Sequence, residues 1–211
     1  MSTAASPARK LRRETSAPSA TACAAALAAL AAVALSLPPL RSLIEQSMVW
    51  HMLVQMPLLV CAGWWAAAAW APSGGLRWNR YGLTGFMLAQ CIAAYWMIPA
   101  LVDRAVVLPS ADAAKLLTLW LAGAALRLGY VQAPPVVQLF FIGYGLPMMA
   151  WLGLYLAHTD LRLCNAYSLQ SQVRAGWGLL GLALVLGLGS AAAALRRPVD
   201  HQTQRRGRRG R

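Results

Sequence analysis

The sequence predicts an all-α membrane protein, a polytopic bundle of transmembrane helices, and three observations support that prediction. Hydrophobic residues make up 59% of the 211 residues and charged residues only 12%, about half the charged share of an ordinary soluble domain. The apolar residues gather in runs that approach the ~20 residues needed to cross a hydrocarbon core ~30 Å thick. These runs are continuously apolar and do not alternate with polar residues, which excludes a membrane β-barrel as well as a soluble globular enzyme.

Six apolar runs predict six transmembrane helices. The predicted spans are residues 21–37, 48–70, 81–102, 115–131, 135–156 and 175–195. The first run also fits the apolar region of a cleaved signal sequence, and cleavage would leave five helices. We expect it to be retained, because it is slightly long for such a region and no clean Ala-x-Ala cleavage site follows it.

The chain divides into a transmembrane domain at residues 19–195 and two basic tails. Residues 1–18 are polar and basic, and residues 196–211 are low in complexity, so we expect the second tail to be disordered. If the N-terminus is cytoplasmic, fourteen of the 19 Lys and Arg residues lie on the cytoplasmic side. The five on the other side are Arg41, Arg104, Lys115, Arg162 and Arg174. Because cytoplasmic segments retain positive charge, we expect both termini to be cytoplasmic.

No motif for ordinary catalysis is present in the sequence. The four cysteines (Cys23, Cys61, Cys91 and Cys164) are scattered and form no Cys-x-x-Cys pair, which excludes a zinc knuckle and a thioredoxin-type site. The chain also has no P-loop, no His-Glu-x-x-His motif, no Ser-His-Asp set and no pair of carboxylates within a predicted span. We therefore predict no enzymatic activity.

The second predicted span carries sulfur and imidazole groups on one face. At ~100° per residue, Met48, His51, Met52, Gln55 and Met56 fall within an arc of roughly 140°. Thioethers and imidazole are soft ligands that select cuprous copper over hard cations. The alternative is packing, because methionine fills gaps between helices and a membrane histidine often hydrogen-bonds across them.

Pro57 follows this stripe within the same span. Proline has no amide hydrogen, so the carbonyl of Leu53 loses its helical partner. We expect a kink that opens space beside the stripe.

Other candidate copper ligands gather at the same predicted membrane face. They are Met97, Met148, His158 and Cys164. Residues 158–174 form the most polar stretch outside the tails, and two interpretations of it are open. It is either a lid over the membrane-embedded ligands or an amphipathic connector at the level of the lipid headgroups.

Three segments carry a resemblance to a known family: residues 48–59 (MVWHMLVQMPLL), 96–99 (WMIP) and 162–167 (RLCNAY). They resemble the polytopic CtaG family of cytochrome c oxidase assembly factors, over about half the chain. His51 and Met52 match the family's His-Met helix motif, whereas Gln55 stands where the family tends to carry a second histidine. The resemblance implies a multi-pass protein of the bacterial inner membrane that helps mature the copper centres of a haem-copper oxidase from the outer face. The implied partners are the lipid bilayer and oxidase subunits, with no specific nucleic acid.

Two other functions stay open. A structural subunit or scaffold of a membrane complex needs no ligand, and the Gly and Ala content of the first, fourth and sixth spans suits close helix packing. A haem-binding electron-transfer subunit usually needs paired histidines on facing helices, and only His51 lies well inside a predicted span.

Overall fold

The computed structural model describes residues 20–34, 37, 40, 44, 46–70 and 77–195. All regular structure in these residues is helical, which confirms the prediction of an all-α protein. Both basic tails and Arg41 lie outside the described residues.

Seven helices are described, joined by short connections. They are α1 (Ala20–Ala34), α2 (Met48–Trp70), α3 (Leu83–Trp96), α4 (Pro99–Val107), α5 (Pro109–Gln132), α6 (Pro135–His158) and α7 (Leu169–Leu195). Helix α2 contains a π-helical turn, His51–Gln55, and a short 3-10 helix, Arg77–Asn79, precedes α3.

Four of these helices, α2, α5, α6 and α7, are long and apolar enough to cross a membrane. A fifth span is obtained if α3 and α4, which meet at an angle of 76°, are counted as one broken span. Helix α1 has only 15 residues in its described length. The described part of the chain therefore supports a multi-pass protein but does not reach the predicted count of six.

The prediction of one uninterrupted helix over residues 81–102 is wrong. Helix α3 ends at Trp96, and α4 begins at Pro99. Ile98 has extended backbone angles (φ −79°, ψ 116°), because the ring of a following proline disfavours the helical conformation of the residue before it. Pro99 then occupies the first turn of α4, where its missing amide hydrogen costs nothing.

Two other helices begin earlier in the chain than predicted. Helix α5 starts at Pro109, so Lys115 lies in its second turn. Lys115 is fully buried, whereas the predicted span placed it at the membrane face. Helix α7 starts at Leu169, which shortens the connection after α6 to residues 159–168. The first turns of α5 and α7 contain polar side chains that point into the protein. A prediction from apolar runs leaves such turns out of the helix.

The described helices form two groups. Helix α1 packs along α2, and α2 and α3 both pack on α5, while α6 and α7 form an antiparallel hairpin. Glycines permit the closest approaches: a Cβ added to Gly63 of α2 would overlap the backbone oxygen of Trp120, and one added to Gly123 of α5 would overlap that of Val60. The hairpin meets the first group mainly where the first turns of α2 pack on α7, and contacts between α3 and α6 are sparse.

Candidate functional site

A cluster of buried polar side chains lies at one end of the bundle, where α2, α5 and α7 begin and α3 and α6 end. We call His51, Asp112, Lys115 and Tyr167 the polar centre. His51 and Lys115 are each 0% exposed, Tyr167 is 2% exposed and Asp112 is 6% exposed. Ionisable side chains buried within membrane helices are costly, and their presence marks a candidate functional site.

Lys115 holds the polar centre together. Its Nζ lies 2.8 Å from Oδ1 of Asp112, one turn earlier on α5, and 3.5 Å from Nε2 of His51 on α2. An ammonium at Lys115 donates to Nε2 only if the ring proton of His51 is on Nδ1. The aromatic ring of Tyr167 lies on another side of His51, with 6.2 Å between ring centroids.

The predicted stripe on α2 is a buried face. Met48, His51, Met52, Gln55 and Met56 are all 9% exposed or less, and the three methionines belong to the main apolar core. The π-helical turn His51–Gln55 ends two residues before Pro57. A wider turn suits this position, because the proline ring would clash with the carbonyl four residues earlier in an α-helix.

The connection between α6 and α7 folds over the polar centre as a lid (residues 159–168). The carboxylate of Asp103 on α4 accepts the backbone N–H groups of Asn165, at 2.7 Å, and Ala166, at 3.3 Å. Arg162 donates from Nε to the carbonyl of Tyr167, at 2.7 Å. Asp103 thus holds the lid that places Tyr167 beside His51.

Gln172 and Ser171, in the first turn of α7, extend the same network. Gln172 accepts the backbone N–H of Leu163 at 3.0 Å and donates to the carbonyl of Leu161 at 3.1 Å. The hydroxyl of Ser171 accepts the backbone N–H of Met48 at 2.9 Å. These bonds tie the lid, α7 and the start of α2 into one polar unit.

Cys164 is a fully buried residue of the lid, and its thiol donates to the carbonyl of Pro99, with 3.8 Å between Sγ and O. Burial, with a smaller contribution from the nearby carboxylate of Asp103, raises the pKa of this thiol to about 12. A soft metal binds the thiolate and not the thiol. The surroundings of Cys164 therefore favour a structural thiol.

Each of the other three candidate ligands contacts a different part of the protein. Met97 lines an apolar cavity between the two helix groups. Met148 accepts a hydrogen bond from Nε2 of Gln90, with 3.6 Å between the nitrogen and Sδ. His158 is exposed at the end of α6, where its ring packs against Trp177 with 5.5 Å between centroids. The described structure thus brings together the α2 stripe but not the full candidate set.

Asp112 and the role of Lys115 were not predicted from the sequence. Their spacing is the signal that could have found them, because residues three apart lie on one helix face and this pair directly precedes an apolar run. In the described residues no three or more His, Cys, Asp or Glu side chains are grouped to hold a metal ion. The α2 stripe is a different kind of candidate site, because three of its side chains are methionines.

Comparisons with known proteins do not identify a family. No family model, no curated protein and no solved structure matches the chain. The function therefore has to be argued from the polar centre and the α2 face.

Proposed function

We propose that this chain is a non-enzymatic membrane factor that assists cytochrome c oxidase assembly by handling copper beside the polar centre. The observation that carries the proposal is the burial of Met48, His51, Met52 and Met56 on one face of α2. Three thioethers and an imidazole, shielded from water, are a donor set suited to cuprous copper. The resemblance of residues 48–59 to the CtaG family supplies the link to oxidase assembly.

The position of Lys115 affects whether His51 can bind copper. Its amine lies 3.5 Å from Nε2 of His51, and an ammonium group at that distance repels a cation bound to the same nitrogen. A copper ion held through Nε2 therefore requires the amine of Lys115 to move or to be neutral. Replacing Lys115 with methionine together with Asp112→Leu is expected to increase copper retention, because this removes the charge beside Nε2 and adds a thioether without leaving the carboxylate of Asp112 unpaired.

Elemental analysis of the purified protein tests the proposal. We expect copper in the wild type and its loss in both His51→Ala and His51→Gln, because glutamine hydrogen-bonds but is a poor ligand for a soft cation. Adding Met52→Leu should deepen the loss. Met87→Leu is the matched control, since Met87 lies on α3 with 54% of its surface exposed. Equal copper contents in the wild type and both His51 variants would contradict the proposal.

The proposal includes a six-span topology in the bacterial inner membrane with both termini cytoplasmic. The support is the fourteen-to-five distribution of Lys and Arg in the sequence, with α1 as the first span and the bent pair α3 and α4 as the third. Alkaline phosphatase fused near Cys164 should be active, and the same enzyme fused after Arg211 should be inactive. The reverse pattern would contradict this orientation.

A scaffold role in a membrane complex is the second candidate. It is favoured by the contact between Lys115 and His51, because this contact gives His51 a structural partner without a metal. On this hypothesis no preparation contains copper, and His51→Ala changes only stability. The haem alternative gains no support from the described residues, because His51 is enclosed whereas His158 is exposed against Trp177.

A further inference from the structure

An apolar cavity of about 370 Å³ lies between the two helix groups, a size within the range of ~300–1,000 Å³ that is typical of ligand sites. One wall comes from α2, α3 and α5, and the other from α6 and α7. At the end away from the polar centre, the rings of Phe86 and Phe141 stack across the gap, with 4.8 Å between centroids. The cavity therefore occupies the part of the α3–α6 interface that these two helices leave open.

The walls are hydrocarbon except at Gln90 and Ser190. The Ser190 hydroxyl donates to the carbonyl of Leu186 on its own helix, at 2.7 Å. The amide of Gln90 donates to the sulfur of Met148. Because both polar side chains donate to groups of the protein itself, the cavity suits an apolar occupant.

The position of the cavity indicates where that occupant comes from. Its lining residues on α6 run from Phe141 to Met149, the middle of a helix that is long and apolar enough to cross a membrane. Helices α6 and α7 are also the least buried of the four spanning helices. The neighbouring medium at this depth is therefore the hydrocarbon interior of the bilayer, and an apolar cavity is a poor site for water.

We propose that this cavity binds the acyl chain of a bilayer phospholipid. The chain adds van der Waals contacts to the few that α3 and α6 make with each other, and so couples the two helix groups. No contact with the headgroup is required, because the wall is apolar along the middle of the spans. The proposal is independent of the copper hypothesis, since the cavity contains neither His51 nor Lys115.

Two glycines on α6 provide a matched pair of variants. Gly145 lines the cavity, and a Cβ added there would lie 3.4 Å from Oε1 of Gln90. Gly143 is two residues earlier, and a Cβ added there would meet nothing within 4 Å. Leucine at Gly145 fills the cavity, whereas leucine at Gly143 points into open space.

The full-length protein, purified in detergent and supplied with a palmitoyl-oleoyl phospholipid, allows a direct test. Native mass spectrometry should show a retained phospholipid on the wild type and on Gly143→Leu, and its loss from Gly145→Leu. The added lipid should also raise Tm for the first two proteins and not for the third. Equal lipid retention by Gly145→Leu and Gly143→Leu would overturn the proposal.

A measurement on the wild type covers the case in which Gly145→Leu does not fold. A phospholipid with a diazirine in its acyl chain should cross-link to cavity residues such as Ala93 and Leu126, in addition to exposed residues such as Leu139. Cross-links confined to exposed residues would overturn the proposal.

Discussion

The polar centre and the apolar cavity both involve α2, α5 and α7, but they are packed in opposite ways. At the polar centre, side-chain hydrogen bonds join α2 to α5, α2 to α7 and the lid to α7, beside an ion pair within α5. A few turns along the bundle, α3 and α6 face each other with apolar side chains and leave about 370 Å³ between them. In a bilayer, lipid chains compete equally for apolar surface, so hydrophobic side chains do not draw helices together, whereas polar contacts and glycine-mediated close packing do.

The largest expected effect comes from removing one charge of the polar centre. Lys115→Leu leaves the carboxylate of Asp112 buried without its ammonium, and we expect a loss of about 3–5 kcal/mol in the free energy of unfolding. The double variant Asp112→Leu with Lys115→Leu should recover much of that loss. Thermal unfolding in detergent measures both, with Arg104→Leu, at an exposed position on α4, as the control. A Lys115→Leu protein as stable as the wild type would show that polar contacts do not hold this end together.

The second effect tests close packing between α2 and α5. Leucine at Gly123 must displace the backbone of α2 near Val60, and we expect a loss of about 1–3 kcal/mol or more. Gly181→Leu on α7 is the control, because a Cβ there would meet nothing within 4 Å. Comparable unfolding temperatures for the two variants would argue against the close approach of α2 and α5.

The third prediction concerns the lid. Asp103→Ala removes the acceptor of two backbone N–H groups, and we expect a loss of about 1–3 kcal/mol. Amide exchange at Asn165 and Ala166 should accelerate, while exchange in the middle of α5 stays slow. Asp160→Ala, at an exposed position of the lid, should leave these two amides protected. Unchanged exchange in Asp103→Ala would show that the lid closes without this carboxylate.

The smallest effect is on the reactivity of Cys164. In a protein whose other three cysteines are replaced by serine, a maleimide should modify Cys164 very slowly near neutral pH. An ordinary cysteine with a pKa of ~8.5 gains thiolate as the pH approaches that value, whereas a pKa raised to about 12 keeps the buried thiol protonated. Cysteine placed at Leu161, which is 68% exposed, should react readily. Asp103→Ala should speed the labelling of Cys164, and fast labelling without that change would contradict a closed lid.

The sequence by itself determined the class of the molecule and one face of one helix. Long apolar runs leave helices as the way to satisfy the backbone in lipid, and the spacing of Met48, His51, Met52 and Met56 placed them on a face that is buried. The break before α4 could also have been predicted from the sequence, because Pro99 disfavours helical backbone angles at the preceding residue. The count of spans was less secure, since it assumed that each apolar run is one straight helix.

Only the tertiary structure decided which side chains contact His51. Its contact with Lys115 joins residues 64 positions apart, and the contact of Asp103 with the lid joins residues 62 apart. Such pairs depend on how α2, α4 and α5 are set against one another, which is governed by glycine contacts and helix starts that periodicity does not encode. A lysine beside an apolar run has the same sequence pattern whether it faces the membrane surface or the interior of the bundle. The packing of the helices makes that choice, and here it places the charge beside the imidazole.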